Sequence, residues 1–256
     1  MNLVAPARCQ RELDSGWCPG CGHGIANRLY AEVLTEMGIA DKAIMVHDVA
    51  CGSLGALGVY QFDAIVAAHG RPIPTAIGVK LARPDAVSIA YFGDGAAYSI
   101  GAAEVVHAAL RNNNITVFVV NNTVYGMTGG QMAPTTIPGE KTMSSIYGKD
   151  PKKYGTLDIC KLLDNMNIAF LGRSELYDVP AIMNTKKLMQ EAIQNQLDGK
   201  GFSLLEILAP CPTNLHMTPL DTKEWVHTEV TKYLPLGVTI RDGQKVVNED
   251  KVEVRA

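Results

Sequence analysis

Short apolar runs alternate along the chain with segments in which apolar residues recur every three or four positions. Residues 86–92 and 115–120 are apolar, rich in β-branched side chains and followed by turn-forming residues, which predicts buried strands. Residues 100–111, between these runs, have a helical pattern, and so do residues 25–37. This alternation predicts an α/β fold, a mainly parallel sheet with helices on both faces.

The second half of the chain shows the same alternation of apolar runs and helical patterns. It predicts a strand at 43–46, a helix at 157–166, a strand at 168–171, a helix at 180–197 and a strand at 202–208. Residues 125–154 show little periodicity, which is uncommon in a compact domain unless the segment is functional or covered by a partner. Because the pattern weakens after Cys211, we predict one domain at residues 1–218 and a C-terminal arm at 219–256 that packs on the domain or on a partner subunit.

Composition and charge exclude several classes of protein. The chain has 256 residues, of which 47% are hydrophobic and 19% charged, so disordered, collagen-like and coiled-coil proteins are excluded. The net charge of −3 argues against a nucleic-acid binder. No apolar run approaches the roughly 20 residues that cross a bilayer, and residues 1–11 lack the apolar stretch of a secretory signal. We therefore expect a cytoplasmic protein whose six cysteines are not a disulfide framework.

A glycine-flanked aspartate stands where α/β proteins bind phosphates. The sequence Gly93-Asp94-Gly95 follows one predicted strand and precedes a helix, and the next strand ends in Asn121-Asn122-Thr123-Val124. A carboxylate, an amide oxygen and a backbone carbonyl, with two phosphate oxygens and a water, would complete the octahedron that Mg²⁺ requires. The alternative is that Asp94 caps a helix and the asparagines form a turn.

Four of the cysteines have spacings that suggest a metal site. Cys18 and Cys21 form a C-x-x-C pair, which can be half a zinc site, a redox dithiol, two iron–sulfur ligands or none of these. No second C-x-x-C follows, and no strand precedes the pair, which weakens the first two readings. Cys51 and Cys211 each follow a predicted strand, and four thiolates are the usual complement of a [4Fe–4S] cluster. Cys160 is expected in the core, and Cys9 has no assigned role.

Together these motifs resemble the thiamine diphosphate-binding β subunits of 2-oxoacid:ferredoxin oxidoreductases. The resemblance rests on residues 17–24, 69–71, 121–131 and 211–214, in the expected order. It implies that Asp94, Asn122 and the Val124 carbonyl bind Mg²⁺, and that Cys18, Cys21, Cys51 and Cys211 bind a [4Fe–4S] cluster. The expected cofactor-binding residues are Cys51, Gly52, Gly93, Asp94, Gly95, Asn122, Val124, Gly126, Met127 and Thr128.

The resemblance also implies a reaction and partners. The reaction is oxidative decarboxylation of a 2-oxo acid to acyl-coenzyme A, with electrons passed through the cluster to ferredoxin. Residues 130–136 are similar to enzymes for branched-chain 2-oxo acids or 2-oxoglutarate. Glu104, in the helix behind Asp94, is poorly placed to activate thiamine, so the activating glutamate is expected from an α subunit with a pyrimidine-binding domain. Subunits γ and a ferredoxin-like δ are expected too.

Two rival functions stay open. A non-oxidative thiamine diphosphate decarboxylase or ligase would share the Asp94 motif but would not need the four cysteines. A non-catalytic zinc-binding interaction subunit would keep the fold without turnover. His23 can touch the cluster or cofactor or simply begin a helix, and His69 has no assigned role. Arg71 can bind a carboxylate or diphosphate, or belong to a structural turn.

Overall fold

The computed structural model describes residues 16–56 and 60–246, so Cys9 lies outside the described residues. The strands, in chain order, are β1 (Ala43–Asp48), β2 (Asp63–Ala67), β3 (Val87–Gly93), β4 (Thr116–Asn121), β5 (Val124–Tyr125), β6 (Gln131–Met132), β7 (Phe170–Glu175), β8 (Ser203–Leu208), β9 (Gly237–Arg241) and β10 (Gln244–Lys245). The helices are α1 (Gly22–Glu36), α2 (Pro72–Ala82), α3 (Ala102–Leu110), α4 (Ile159–Leu162), α5 (Val179–Leu197), α6 (Pro212–Leu215), α7 (Pro219–Trp225) and α8 (Thr231–Tyr233). Short 3₁₀ turns occupy Ala40–Lys42 and Cys51–Gly55, and π-helical turns occupy Ala96–Ile100 and Val226–Val230.

Within the described residues, eight strands form one sheet in the order β10-β9-β7-β8-β4-β3-β1-β2. Every pair from β7 to β2 is parallel, and β9 and β10 add an antiparallel edge. The short β5 and β6 pair separately as an antiparallel hairpin. The mainly parallel sheet that the apolar pattern predicts is confirmed.

Helices cover both faces of the sheet because its central strands are apolar on both sides. In β3, Ile89 and Tyr91 pack in the core formed with α1 and α5, whereas Ala90 and Phe92 pack in the core formed with α2 and α3. Strands buried on both faces read as continuous apolar runs, which is why β3 and β4 were the clearest strands in the sequence.

Two predicted elements differ from the structure. The strand predicted at 168–171 lies at Phe170–Glu175, since it continues through polar residues whose side chains are buried. The helix predicted at 157–166 is reduced to Ile159–Leu162, capped by the Asp158 carboxylate, which accepts hydrogen bonds from two backbone N–H groups of the first turn.

Residues 219–246 add structure to the main sheet. They contribute α7, α8 and the antiparallel strand β9, which pairs with β7. The proposed division at residue 218 stays a prediction. None of the helices in the described ranges combines the length and apolar character needed to cross a membrane.

The order of the strands creates a crevice at one edge of the sheet. From β1 the chain moves outward to β2, and from β3 it moves the opposite way to β4. Open α/β sheets bind ligands at such a switch point, beyond the carboxyl ends of the strands. Asp48 ends β1, Gly93 ends β3 and Asn121 ends β4, so the candidate site residues emerge at this edge.

Candidate cofactor and cluster site

A cavity of about 300 Å³ opens at the switch point, a volume within the usual range for small-molecule sites. Its wall comes from the segments that follow β1, β3 and β4, together with His23 of α1 and His69 after β2. All the residues expected from the sequence to bind the cofactor line it: Cys51, Gly52, Gly93, Asp94, Gly95, Asn122, Val124, Gly126, Met127 and Thr128. The structure therefore brings the whole predicted set to one cavity.

Asp94 and Asn122 meet at the floor of this cavity. Asp94 is buried; its Oδ2 accepts a hydrogen bond from the Thr135 hydroxyl, and its Oδ1 accepts one from the Asn122 N–H at 3.4 Å. Burial raises the pKa of Asp94 to about 7. The Asn122 side-chain oxygen accepts from the Val124 N–H at 3.4 Å. The three predicted magnesium ligands are thus close together. Asn122 and Val124 belong to one turn, and the Asp94 carboxylate lies beside it.

Sequence reasoning missed the residues that hold this turn. Thr123 has φ +65°, an uncommon conformation for a β-branched residue, and its hydroxyl donates to Glu140 Oε1 at 2.6 Å. The Thr136 hydroxyl donates to the Thr123 carbonyl oxygen. Thr135 and Thr136 lie in the irregular segment at 125–154, where no periodicity distinguishes them. The unusual length of this segment, which suggests a function, is the signal that could have drawn attention to them.

Of the four predicted cluster cysteines, Cys51 lines the cavity, and hydrogen bonds link its segment to those that carry Cys18, Cys21 and Cys211. The Cys18–Cys21 turn precedes α1 and packs on the chain after β8, because the Gly22 N–H donates to the Pro210 carbonyl oxygen at 3.0 Å. The Trp17 indole N–H donates to the Cys51 carbonyl oxygen at 2.9 Å. Two independent contacts therefore tie the C-x-x-C pair to the segments that carry Cys51 and Cys211.

The thiols are close enough to affect one another electrostatically. Burial, with smaller contributions from the other three thiols of the set, raises the pKa of Cys21 to about 12. Burial, with smaller contributions from Cys211 and Cys18, raises the pKa of Cys51 to about 11. A bound metal cation would reverse this preference, because coordinating thiols are deprotonated. Buried Cys160 packs in the core beside α3, as expected.

The thiols and the cofactor cavity meet at Gly126. A Cβ on Gly126 would lie 3.7 Å from Cys51 Sγ and 3.8 Å from Asn122 Nδ2. The Asn214 amide donates to the Gly126 carbonyl oxygen at 3.0 Å and to Cys211 Sγ at 3.3 Å. Asn214 thus bridges the two halves of the site, although sequence reasoning gave it no role beyond its place in a motif.

The possible metal-binding side chains lie mostly apart from one another, and Asp94 keeps free acceptor capacity. Among residues 16–56 and 60–246, no group of three or more His, Cys, Asp or Glu side chains is arranged to hold a metal ion. The Asp94 carboxylate has further lone pairs beyond the two hydrogen bonds it accepts, so a cation can still bind there. The assignments of Mg²⁺ and of the cluster to these residues stay predictions.

His23 and Arg71, left open by the sequence, have distinct surroundings. The Asn27 amide donates to the Tyr91 hydroxyl oxygen at 2.8 Å, and the His23 Nδ1 lies 2.9 Å from the same oxygen. Burial lowers the pKa of His23 to about 4, so the ring is neutral, and its Nδ1 can accept a hydrogen bond from the Tyr91 hydroxyl. Arg71 donates to the Ile100 carbonyl oxygen at 2.6 Å and is part of a structural turn.

Comparisons with known proteins show the family to which the chain belongs. Residues 50–207 match the family model of the thiamine pyrophosphate enzyme C-terminal TPP-binding domain. A 2-oxoacid:ferredoxin oxidoreductase subunit beta from Sulfolobus is 34% identical over 219 residues, which cover 84% of this chain and 67% of that protein. The chain belongs to this family. Its resemblance to 2-oxoacid:ferredoxin oxidoreductase β subunits is thus confirmed, and so is thiamine diphosphate as the cofactor of its domain.

Two further comparisons concern a longer relative and a solved structure. The ketoisovalerate oxidoreductase subunit VorA from Methanothermobacter thermautotrophicus is 42% identical over 224 residues, covering 86% of this chain and 46% of VorA. The chain therefore matches less than half of that relative's length. A solved 2-oxoglutarate:ferredoxin oxidoreductase from Magnetococcus marinus, with 2-oxoglutarate, coenzyme A and succinyl-CoA bound, has a TM-score of 0.75 at 23% identity, covering 97% of this chain and 87% of that one. It confirms the fold.

Proposed function

We propose that this chain is the thiamine diphosphate-binding subunit of a 2-oxoacid:ferredoxin oxidoreductase, converting a 2-oxo acid and coenzyme A to acyl-CoA and CO₂. One observation carries the proposal: Cys51 lines the same cavity as Asp94 and Asn122, and its sulfur lies next to Gly126 of the cofactor loop. A predicted cluster ligand and two predicted cofactor-binding residues therefore line the same cavity. A non-oxidative thiamine enzyme has no need for this arrangement.

In this proposal the chain binds two groups that carry out the chemistry, thiamine diphosphate and a [4Fe–4S] cluster. When bound, thiamine diphosphate provides the nucleophilic carbon and electron sink for decarboxylation, and a [4Fe–4S] cluster accepts electrons one at a time. Asp94, the Asn122 amide oxygen and the Val124 carbonyl would hold Mg²⁺ against the diphosphate. Cys18, Cys21, Cys51 and Cys211 would hold the cluster. The Tyr125 ring packs over Gly95, where a Cβ would lie 2.6 Å from it, and so covers the phosphate side of the cavity.

The proposed substrate is a branched-chain 2-oxo acid such as 2-oxoisovalerate. The 42% identity to a ketoisovalerate oxidoreductase subunit supports this choice. A second candidate is 2-oxoglutarate, which is bound in the solved enzyme of similar fold. Electrons would pass to ferredoxin and the acyl group to coenzyme A.

The proposed assembly includes an α subunit that brings the pyrimidine-binding domain and the activating glutamate, with γ and ferredoxin-like δ subunits. Residues 125–154 support it, because this segment carries large apolar side chains that are exposed here. We call four of them the loop patch: Met127, Met143, Ile146 and Tyr147. Met127 also lines the cavity, so a partner on the loop patch would reach the cofactor.

A cytoplasmic location is proposed because the described cysteines are free thiols.

An anaerobic assay of the co-purified complex tests the function. Viologen reduction is followed with 2-oxoisovalerate, 2-oxoglutarate and pyruvate, each with and without coenzyme A. We expect the highest kcat/KM with 2-oxoisovalerate and a requirement for coenzyme A in multiple turnover. Release of CO₂ without viologen reduction would instead indicate a non-oxidative decarboxylase.

Metal analysis of matched variants tests the cluster. We expect about four irons per chain, because four thiolates complete one [4Fe–4S] cluster. Cys211→Ser should lose most of this iron, whereas Cys160→Ser, a core thiol, should retain it. A colourless protein that contains zinc instead of iron would favour the interaction-subunit alternative.

A further inference from the structure

A single helical turn places a hydrogen-bond donor beside one of the predicted cluster thiols. Cys211 precedes α6, Pro212 is the first residue of that helix, and the Leu215 N–H donates to the Cys211 carbonyl oxygen at 3.2 Å. Positions three apart lie on the same side of such a turn, and the Asn214 amide donates to Cys211 Sγ at 3.3 Å. The four residues from Cys211 to Asn214 therefore supply both a thiol and its donor.

The cofactor loop fixes the orientation of the same amide. Asn214 Nδ2 also donates to the Gly126 carbonyl oxygen at 3.0 Å. Because a carbonyl oxygen only accepts hydrogen bonds, the atom between Gly126 and Cys211 is the amide nitrogen and not the amide oxygen. Gly130 has φ +84°, and a Cβ there would lie 2.8 Å from Asn214 Oδ1, so the Gly130 backbone packs directly against the amide. The amide cannot rotate without losing one of its two acceptors.

This contact distinguishes Asn214 from the other side chains near the predicted cluster thiols. Within residues 16–56 and 60–246, no other side chain donates a hydrogen bond to Sγ of Cys18, Cys21, Cys51 or Cys211. Cys211 is buried, and a hydrogen bond to a buried group is electrostatically stronger than one in water. Hydrogen bonds to the sulfurs are one of the factors that set the reduction potential of an iron–sulfur cluster.

The charge added on reduction gives the direction of the effect. Reduction would add one electron, and so one negative charge, to a cluster bound by these thiols, and the sulfur ligands share that charge. An amide N–H directed at Cys211 Sγ stabilises the more negative state, because its positive end faces the added charge. The reduction potential is therefore higher than it would be in a chain without this donor.

We propose that Asn214 tunes electron acceptance in this protein: its amide raises the reduction potential of the cluster bound at Cys211 while it anchors the Gly126 carbonyl of the cofactor loop. This inference rests on the proposed function, which supplies the cluster and the electrons. Asn214 acts through Cys211 and Gly126, so it is a positioning residue. One side chain would thus link the group that releases electrons with the group that accepts them.

Asn214→Leu is the informative variant, because leucine has a similar volume and donates no hydrogen bond. The cluster in the anaerobic complex is reduced stepwise with titanium(III) citrate, which supplies the electron, and its midpoint potential is measured by electron paramagnetic resonance without substrate. The signal that Cys211→Ser lacks identifies this cluster. We expect the equilibrium constant for reduction to fall about tenfold, which lowers the potential of a one-electron couple by about 59 mV.

A second variant and a control accompany this measurement. Asn214→Asp keeps the shape of the side chain, loses the donor and adds a negative charge, so its potential should fall at least as far. The control is Asn165→Leu, an exposed residue that accepts a hydrogen bond from Lys245 and should leave the potential unchanged. Iron content and circular dichroism show that each variant is loaded and folded, and Asn214→Asp serves alone if Asn214→Leu is not.

The proposal is overturned if the potential of a loaded Asn214 variant rises, or falls by less than about 18 mV, which corresponds to about a twofold change in the equilibrium constant. It is also overturned if Asn214→Leu weakens thiamine diphosphate binding, measured by calorimetry, without a shift in potential, since Asn214 would then only anchor the loop. Failure of the proposed function is a different result, in which the wild-type complex itself contains no iron and does not reduce viologen.

Discussion

At the scale of single residues, Asp94 shows how binding and stability make opposite demands. It is buried, its hydrogen-bond donors are the neutral Thr135 hydroxyl and Asn122 N–H, and burial raises its pKa to about 7. A bound divalent cation would favour the charged form. The carboxylate is therefore costly in the folded chain and useful only with its ligand, as is common at functional sites.

Asp94→Asn should therefore weaken cofactor binding without lowering the stability of the folded chain. We expect the affinity for thiamine diphosphate at saturating Mg²⁺ to fall at least about 100-fold, since an amide is a much weaker magnesium ligand than a carboxylate. The melting temperature of the cofactor-free protein should not fall. Calorimetric titration and thermal unfolding check the two effects. Asp164→Asn, a half-buried residue paired with Lys245 far from the cavity lining, is the control. An affinity within threefold of wild type in Asp94→Asn would refute the magnesium assignment.

Glu140 supports the strained turn behind this site and gives a prediction for pH. Its Oε1 accepts the Thr123 hydroxyl at 2.6 Å and its Oε2 accepts the Ile137 N–H at 2.9 Å. Burial raises its pKa from 4.5 to about 8. The folded chain therefore keeps a proton that the unfolded chain releases, and the stability gained from this proton is present at low pH and lost as the pH rises from 4.5 to about 8.

Glu140→Gln should remove this pH dependence. Between about pH 5 and about pH 8, the free energy of unfolding of the wild type should fall by about 1–3 kcal/mol relative to the variant. Urea denaturation of both proteins at the two pH values measures the difference. Glu229→Gln, an exposed residue paired with Lys232, should show no such change. Parallel pH profiles for wild type and Glu140→Gln would contradict the raised pKa.

At the scale of elements, a buried ionic network explains why strand β7 continues through polar residues. Arg173 is 1% exposed, and its guanidinium pairs with Glu206 of β8 and, at 2.6 Å, with Asp158 before α4. The Asn121 amide, at the end of β4, donates to the other Glu206 oxygen at 2.9 Å. The network therefore runs from the segment before α4 through β7 and β8 to β4, whose end leads into the turn of Asn122 and Val124.

Arg173→Met tests this network. Removing the cation leaves Glu206 buried without its partner, and we expect a loss of about 3–5 kcal/mol in the free energy of unfolding. The control is Arg241→Met, which breaks the exposed pair with Glu191 and should cost under about 1 kcal/mol. Chemical denaturation measures both losses. The double variant Arg173→Met with Glu206→Gln should recover much of the stability, and a loss below about 1 kcal/mol in Arg173→Met alone would show that the pairing is unimportant.

The same strand shows what the sequence can and cannot predict. Strands β3 and β4 and the glycine-flanked Asp94 were predictable because local patterns, an apolar run followed by turn residues, determine them. The polar stretch Gly172–Glu175 could not be predicted as strand, because its burial depends on Glu206 and Asp158, which are distant in sequence. Thr135 and Glu140 were missed for the same reason, since their roles arise from contacts across a long loop.

At the scale of the whole molecule, the chain has features that support the proposed partner subunit. It matches 46% of the length of the VorA relative, and the described part of its cavity wall carries no second carboxylate that could activate thiamine beside Asp94. Tyr147 of the loop patch is 94% exposed and Ile146 is 60% exposed. Large apolar side chains at such exposure are typical of interface anchors.

The double substitution Tyr147→Ser with Ile146→Ser should therefore weaken assembly without unfolding the chain. We expect the dissociation constant for the co-expressed α subunit to rise at least about 30-fold, because two buried interface anchors are lost. Size-exclusion chromatography with light scattering measures assembly, and circular dichroism checks the fold. The control pair Leu81→Ser with Leu110→Ser changes exposed leucines at the ends of α2 and α3. If the control dissociates the complex and the loop variant does not, the α subunit binds a different face, and residues 125–154 must owe their length to the cofactor alone.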